Sequence, residues 1–486
     1  MKKYLLPLIV IFILLAAVPA NARVPKLAEL PLQTEVSQGD ITWTFSAPVR
    51  VGRFVNGDYY IVGPCTIKAI SPAPVLDTVN LQNCRHGSIL NPPARHRKMA
   101  YDGQMRRGQL VDTSIWARVP LSMQPGDLLV SSISAENRQG KCFMGLRSKL
   151  SFTKSYSALT CLEAPVATDT FRPGFSDRGM NFYYADQLRL DRLHRLAKTP
   201  DTPNINVWAD IFRQPWAGVC RLSASNAQDY QPQYSVEAVR AESIASLLLN
   251  LDFTDEEKRP LLINFIQYGI DRYSLIRAGG FVEGRKAVGG HGNGDKWGIT
   301  FAGILLDDYD MSHLNEKYPE VRFGQDMQTA FVKDMPEGMQ TSWNGSDVVY
   351  TGMYGMWKGE PVGKEPQHLP YEHKPPRDWA ASTFTYGPGK TRTRFAGENY
   401  RRGQNSPSWV GAALCIRIMG AEEEYGHPAF CAYVDRWMTI DDAPLRKEIK
   451  AAQIPEDETD LDAMKAGRAW DPFVESMWRA YRYNLP

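Results

Sequence analysis

The rhythm of apolar and polar positions changes along this chain. Between residue 23 and about 165 the apolar positions come in short alternating runs. Ile41 to Phe45 alternates with β-branched and aromatic residues. Tyr59 to Val62 and Thr66 to Ile70 follow the turn residues Asn56, Gly57 and Asp58 and the pair Gly63 and Pro64. Leu128 to Ile133 follows Pro125, Gly126 and Asp127. Period two between turn signals predicts strands. From about residue 166 the spacing becomes helical. Tyr234 to Leu249 places Val236, Val239, Ile244, Leu247 and Leu248 on one side. Leu261 to Arg277 does the same with Leu262, Phe265, Ile266, Ile270, Tyr273 and Ile276, and Gly279 and Gly280 end it. Lys296 to Leu306 and Trp409 to Met419 are further helices, and Pro428 suits the first turn of one running to Met438. Short helices between long loops predict a mainly α chain. Its expected form is an α/α toroid of helical hairpins, open or closed, over residues 166–486, with a β-rich N-terminal domain over 23–165. No internal repeat marks the hairpins.

The first 22 residues stand apart. Lys2 and Lys3 precede the apolar run Leu5 to Val18, and Ala20, Asn21 and Ala22 form a small-x-small cleavage site. This is the layout of a secretory signal peptide cut after Ala22, which predicts a periplasmic or secreted protein. A membrane anchor is the competing reading. The run is shorter than the roughly 20 residues that span a bilayer, so no membrane insertion of the mature chain is expected. Without Lys2 and Lys3 the chain holds 54 basic and 54 acidic residues. That balance argues against a nucleic-acid partner, but a neutral protein can still carry a basic cleft. An oxidising compartment permits disulfides, and the seven cysteines leave at least one unpaired. Cys65, Cys84, Cys142 and Cys161 can pair among themselves, and Cys415 and Cys431 fall on adjacent predicted helices. No spacing suggests a zinc site, and Asp307, Asp308 and Asp310 lack the pattern and glycine of a calcium loop. No metal and no cofactor is expected.

The densest chemistry lies in Gly279 to Trp297, where Arg285, Lys286, His291 and Lys296 stand among seven glycines. Glycine lets backbone approach a ligand closely, and loops on rigid scaffolds carry function. The bland alternative is an interhelical loop with solvated charges. His291, flanked by Gly290 and Gly292, has little local packing to serve and a pKa suited to proton transfer. In the aromatic stretch Trp343 to Trp357, Tyr350 and Tyr354 would share a face if helical. Glu237 and Arg240 can pair near the apolar stripe of their helix. Arg392 to Arg402 holds four arginines and either lines a basic groove or is a solvated loop. The candidate catalytic set is His291, Tyr350, Tyr354, Arg285 and Glu237. The candidate substrate-binding set is Lys286, Arg240, Lys296, Trp297 and Asn226.

Three strings together resemble polysaccharide lyase family 38: Asn56 to Pro64 (NGDYYIVGP), Gly284 to Trp297 (GRKAVGGHGNGDKW) and Phe301 to Leu306 (FAGILL). That resemblance implies an α/α-toroid catalytic domain and β-elimination on an anionic polysaccharide of the alginate or glucuronan type. Such a lyase neutralises the C5 carboxylate, removes the C5 proton and protonates the leaving O4. Arginine, lysine, histidine and tyrosine at the positions above offer those groups. Two other readings stand beside it. A glycoside hydrolase needs two carboxylates, for which Glu237, Asp295, Asp347 and Glu398 are available. A non-catalytic glycan-binding protein needs only an open aromatic face.

Overall fold

The computed structural model describes residues 22–76, 85–92, 115–134, 153–213, 216, 235–279, 289–290, 292–385, 391–452 and 466–484. The signal peptide, apart from Ala22, and the acidic stretch Glu456 to Asp462 lie outside the described residues.

Nine strands form one curled mixed sheet. They are β1 (Leu32–Gln38), β2 (Ile41–Arg53), β3 (Tyr59–Val62), β4 (Cys65–Ser71), β5 (Val75–Leu76), β6 (Arg85–Leu90), β7 (Leu121–Met123), β8 (Leu128–Ser134) and β9 (Thr153–Leu162). Their order is β5-β6-β8-β9-β3-β2-β4-β7, with β1 paired to β2. All pairs are antiparallel except β3 with β9, which runs parallel from Tyr59 opposite Leu159 to Val62 opposite Leu162. The sheet is buried on both faces. Leu129, with Trp43, Phe45, Ile61 and Leu159, fills a core of the sheet's own. Leu128 and Val130 point the other way, into a core shared with the helices. Successive strand residues face opposite sides, so an unbroken apolar run here means two packed faces.

The helices are α1 (Ile205–Arg213), α2 (Ser235–Leu249), α3 (Asp255–Arg277), α4 (Lys296–Leu306), α5 (Tyr309–Ser312), α6 (Leu314–Lys317), α7 (Gly324–Met327), α8 (Ala396–Tyr400), α9 (Ser406–Ile418), α10 (Glu422–Tyr425), α11 (Pro428–Met438), α12 (Ala443–Ala451) and α13 (Pro472–Tyr481). A π-turn, Arg401–Asn405, joins α8 to α9. The central helix α3 is buried all round from Leu261 to Ile276. It begins upstream of its apolar stripe, because Thr254 and Glu257 close a reciprocal capping box and Pro260 sits in an early turn. Gly269 lets α4 come close: a Cβ there would lie 2.4 Å from the Ala302 Cβ and 2.8 Å from the Gly298 carbonyl.

The expectation of a mainly α chain on an α/α toroid is overturned. The nine-stranded sheet shares a hydrophobic core with the helices, through Ile89, Leu128, Val130 and Tyr156, and is a layer of the fold. Three antiparallel ribbons also interrupt the helical half: β10 (Thr329–Phe331) with β11 (Val348–Tyr350), β12 (Met356–Trp357) with β13 (Glu360–Pro361), and β14 (Ala381–Thr385) with β15 (Thr391–Phe395). Four of these six strands hold only two or three residues, too few for hydrophobic periodicity to register.

Among the described residues Cys65, Cys161, Cys415 and Cys431 are free and buried, so neither pairing considered from sequence occurs between them. No helix among the described residues is long and apolar enough to cross a membrane.

Candidate functional site

Helices α2 and α9 and the start of α4 meet at one junction, tied by three hydrogen bonds. Arg240 Nε in α2 donates to Ser408 Oγ in α9 at 2.6 Å. The Trp409 indole of α9 donates to Asn293 Oδ1, just ahead of α4, at 2.8 Å. The backbone N–H of Asp295 donates to Glu242 Oε1 of α2 at 2.6 Å.

The glycine-rich segment enters this junction. Gly289, Gly292 and Gly294 take positive φ, and so does Asp295 at +70°. At Gly289 a side chain would also strike Tyr400, whose ring lies 2.1 Å from an added Cβ. The Gly289 carbonyl accepts from Gln328 Nε2 at 2.8 Å and from Asn405 Nδ2 at 3.0 Å. The same two amides reach the Tyr350 hydroxyl, at 3.3 Å and 3.0 Å. The Gly289 N–H donates to the Met353 carbonyl at 2.8 Å. The segment is therefore anchored from three separate parts of the chain.

A second cluster lies behind it. The Tyr268 hydroxyl meets Glu242 Oε1 at 2.6 Å and Asp295 Oδ1 at 3.2 Å. Arg272 Nε lies 3.0 Å from Asp295 Oδ1. Burial, then the nearby Asp295 charge, push the Glu242 carboxyl up to about 8. Burial and the Glu242 charge hold the Tyr268 phenol well above its ordinary range. Sequence reading singles out neither Tyr268 nor Arg272, and it sets Glu242 aside because helical spacing places it well apart from Glu237. The available signal was ionisable residues inside helices otherwise apolar enough to be buried, where each charge needs a partner.

Arg240 is 2% exposed. Its guanidinium lies 4.2 Å from the Trp470 ring centroid, and its Nη1 and Nη2 have no hydrogen-bond partner among the described residues. Burial lowers its pKa to about 9, opposed by the charge of Glu237. The side-chain oxygens Gln404 Oε1 and Asn405 Oδ1, on the neighbouring π-turn, are also buried without a hydrogen bond. A buried guanidinium with both terminal nitrogens unspent is built to receive an anion.

The candidates named from sequence fare unequally. Arg240 meets this junction through Ser408 and Tyr350 through Asn405, which also reaches Gly289, and the Glu237 charge acts on Arg240. Tyr350 and Tyr354 do not share a helix face, because Tyr350 ends strand β11 and Tyr354 lies in the following loop. Tyr350 is fully buried between Tyr371, Trp409 and Tyr433, and desolvation holds its phenol well above 10. Its hydroxyl is taken up by Gln328 and Asn405, so Tyr350 positions Gly289 rather than offering a free phenol. Tyr354 is half-buried, one residue from the Met353 carbonyl that receives Gly289, and stacks on His368 with centroids 4.1 Å apart. Lys296 is enclosed, paired with Asp326 at 2.5 Å and set over the Tyr425 ring. Trp297 is core, donating to Ser246 and packing on Phe301. These two support the scaffold rather than a binding surface. His291, Arg285, Lys286 and Asn226 lie outside the described residues.

The arginine run is neither a groove nor a solvated loop at its C-terminal end. Arg401 and Arg402 are buried against Glu372, Glu398 and Asp442. Those guanidinium charges, outweighing burial, hold Glu398 down at about 2. Glu398 is thereby committed to structure. No cluster of His, Cys, Asp and Glu able to hold a metal occurs among the described residues. Comparison with family models, curated proteins and solved structures returns no match.

Proposed function

We propose that this chain is an exported polysaccharide lyase that cleaves a uronate-containing polymer of the alginate or glucuronan type by β-elimination. The observation that carries this reading is Arg240. A buried guanidinium whose terminal nitrogens are unpaired among the described residues, set against Ser408 of α9, is suited to a carboxylate. The motif resemblance supplies the reaction class. In the proposed reaction Arg240 and Arg285 neutralise the C5 carboxylate of the sugar. His291 removes the C5 proton; the electron pair forms the C4–C5 double bond and expels O4. Tyr354, the phenol not enclosed, protonates that oxygen. Tyr350, Gln328 and Asn405 hold the segment that bears His291.

Hydrolysis is less well served. Glu242 and Asp295 both meet the Tyr268 hydroxyl, which fills the space between them where a sugar and water would sit. The test is incubation with polymannuronate, polyguluronate, mixed alginate and glucuronan, followed by ultraviolet absorbance of the unsaturated product. Activity should appear on one of these polymers. Arg240→Ala should then cut kcat/KM about 100-fold, as expected when a buried charge contact worth about 3 kcal/mol is lost. Reducing ends released without the absorbing product would overturn the lyase reading.

A further inference from the structure

A groove on the sheet, away from the helix junction, carries its own chemistry. It lies between the β1–β2 hairpin, the turn at Asn56, strand β9 and the end of α1, with a volume of about 330 Å³. That falls within the range of small-ligand sites, about 300–1,000 Å³. Gln38, Arg53, Asn56, Tyr59, Ser157 and Arg213 form most of its wall, and among the described residues no aspartate or glutamate lines it. The Arg53 guanidinium lies 4.0 Å from the Tyr59 ring centroid and donates to the Gly57 carbonyl at 3.1 Å. It also donates to the Tyr59 hydroxyl, and no carboxylate among the described residues pairs with it. Arg213, at the other side, is 63% exposed, and among the described residues its one ion partner is Asp210, 3.4 Å away and 74% exposed. So open a pair leaves most of the Arg213 charge for a ligand.

Inward from Asn56 and Arg213 the groove meets a crevice of about 10 Å³, the room of about one water. Its far wall is the ion pair network of Arg172 with Asp58 and Asp271. A sugar cannot pass through to Tyr268, so the groove is a separate site.

We propose that this groove is an accessory site for one or two residues of an anionic polysaccharide, with carboxylates on Arg53 and Arg213 and a pyranose ring against Tyr59. Gln38 and Asn56 are hydrogen-bonded to Asp58, and Ser157 to the Gln38 carbonyl, so these three shape the wall and the two arginines select anionic over neutral glycans. The inference shares only the substrate class with the lyase reading. It places polymer binding where no catalytic group is proposed.

The test is affinity electrophoresis of the full chain in gels containing polymannuronate or, as the neutral control, hydroxyethylcellulose, with Arg213→Ala, Arg53→Gln and Tyr59→Ala variants. Arg213 is a surface side chain, so its variant keeps the fold, and thermal midpoints check the other two. Wild type should be retarded by polymannuronate and not by the neutral polymer. Each variant should weaken that binding about fivefold or more. If the chain is a lyase, KM should rise on polymer while turnover of a trisaccharide stays unchanged. Undiminished binding in all three variants, or equal retardation by the neutral polymer, overturns the accessory site. Groove-dependent binding without the ultraviolet-absorbing product supports the site and removes only the lyase reading. Product formation indifferent to the groove does the reverse.

Discussion

At the scale of residues, the junction is set by what buried charges can find. Glu242 has the most informative environment. Its ordinary value is 4.5, and in the fold it rises to about 8, through burial first and the Asp295 charge second. An acid raised in this way binds its proton more tightly in the native state. Its contribution is whole below the unfolded value and is lost as pH climbs through the window to about 8. Asp271, raised to about 6 by burial, acts with the same sign over a narrower window. Glu398, held at about 2, acts oppositely, and its contribution is lost only as pH falls toward that value. Wild type should therefore lose thermal stability between pH 5 and pH 8. Glu242→Gln, which cannot ionise, should show a shallower fall and exceed wild type at pH 8. Parallel melting curves for the two proteins across that range would place the pressure on Glu242 elsewhere.

At the scale of elements, the π-turn between α8 and α9 is the device that brings Asn405 to the glycine-rich segment. An extra residue in the turn shifts the following side chains around the helix axis, and such bulges recur at functional sites. The turn is stabilised on its other side by Arg401 and Arg402 among Glu372, Glu398 and Asp442. Asn405 and Tyr350 then act through one network on Gly289. Asn405→Ala should cost about 1–3 kcal/mol, because a buried carbonyl and phenol lose a donor. Tyr350→Phe should cost about 1 kcal/mol. In urea denaturation the double variant should depart from additivity by at least about 0.5 kcal/mol, since the two side chains share partners. Strict additivity would mean that they do not act together.

At the scale of the whole molecule, sheet and helices are joined by Arg172. Its Nε pairs with Asp58, in the turn before β3, at 2.5 Å, and its Nη2 with Asp271 of α3 at 2.6 Å. The backbone beside it exchanges two hydrogen bonds of 2.9 Å with the Gln267 amide. Asp58 belongs to the NGDYYIVGP string, so part of that motif serves this clamp. Arg172→Met would leave two buried carboxylates without their cation, at a cost of about 3–5 kcal/mol. The loss should be larger at pH 8 than at pH 5, where Asp271, raised to about 6 by burial, can take up a proton. A loss of stability that is the same at both pH values would show that solvent already reaches the pair.

The spans of α2, α4 and α11 and of strands β3 and β8 were legible in the chain within a residue or so. Their periodicity is local and each buries a definite face. Periodicity reports that a face is buried, not against what. It could not show that Leu128 and Leu129 serve different cores, or that the sheet packs on the helices as a layer. Nor could it reveal the ribbons β10–β11 and β12–β13, whose strands of two or three residues are shorter than the pattern needs. The glycine-rich segment drew attention through composition alone, and its end does stand at the junction. Its partners were invisible because Glu242 lies 53 residues from Asp295, and Asn405 lies 116 from Gly289. Whether a tyrosine is a reactive phenol or a buried strut is likewise set by its surroundings. Tyr350 and Tyr354 are four positions apart in one motif; only the tertiary structure separates them, by enclosing one ring and leaving the other half open.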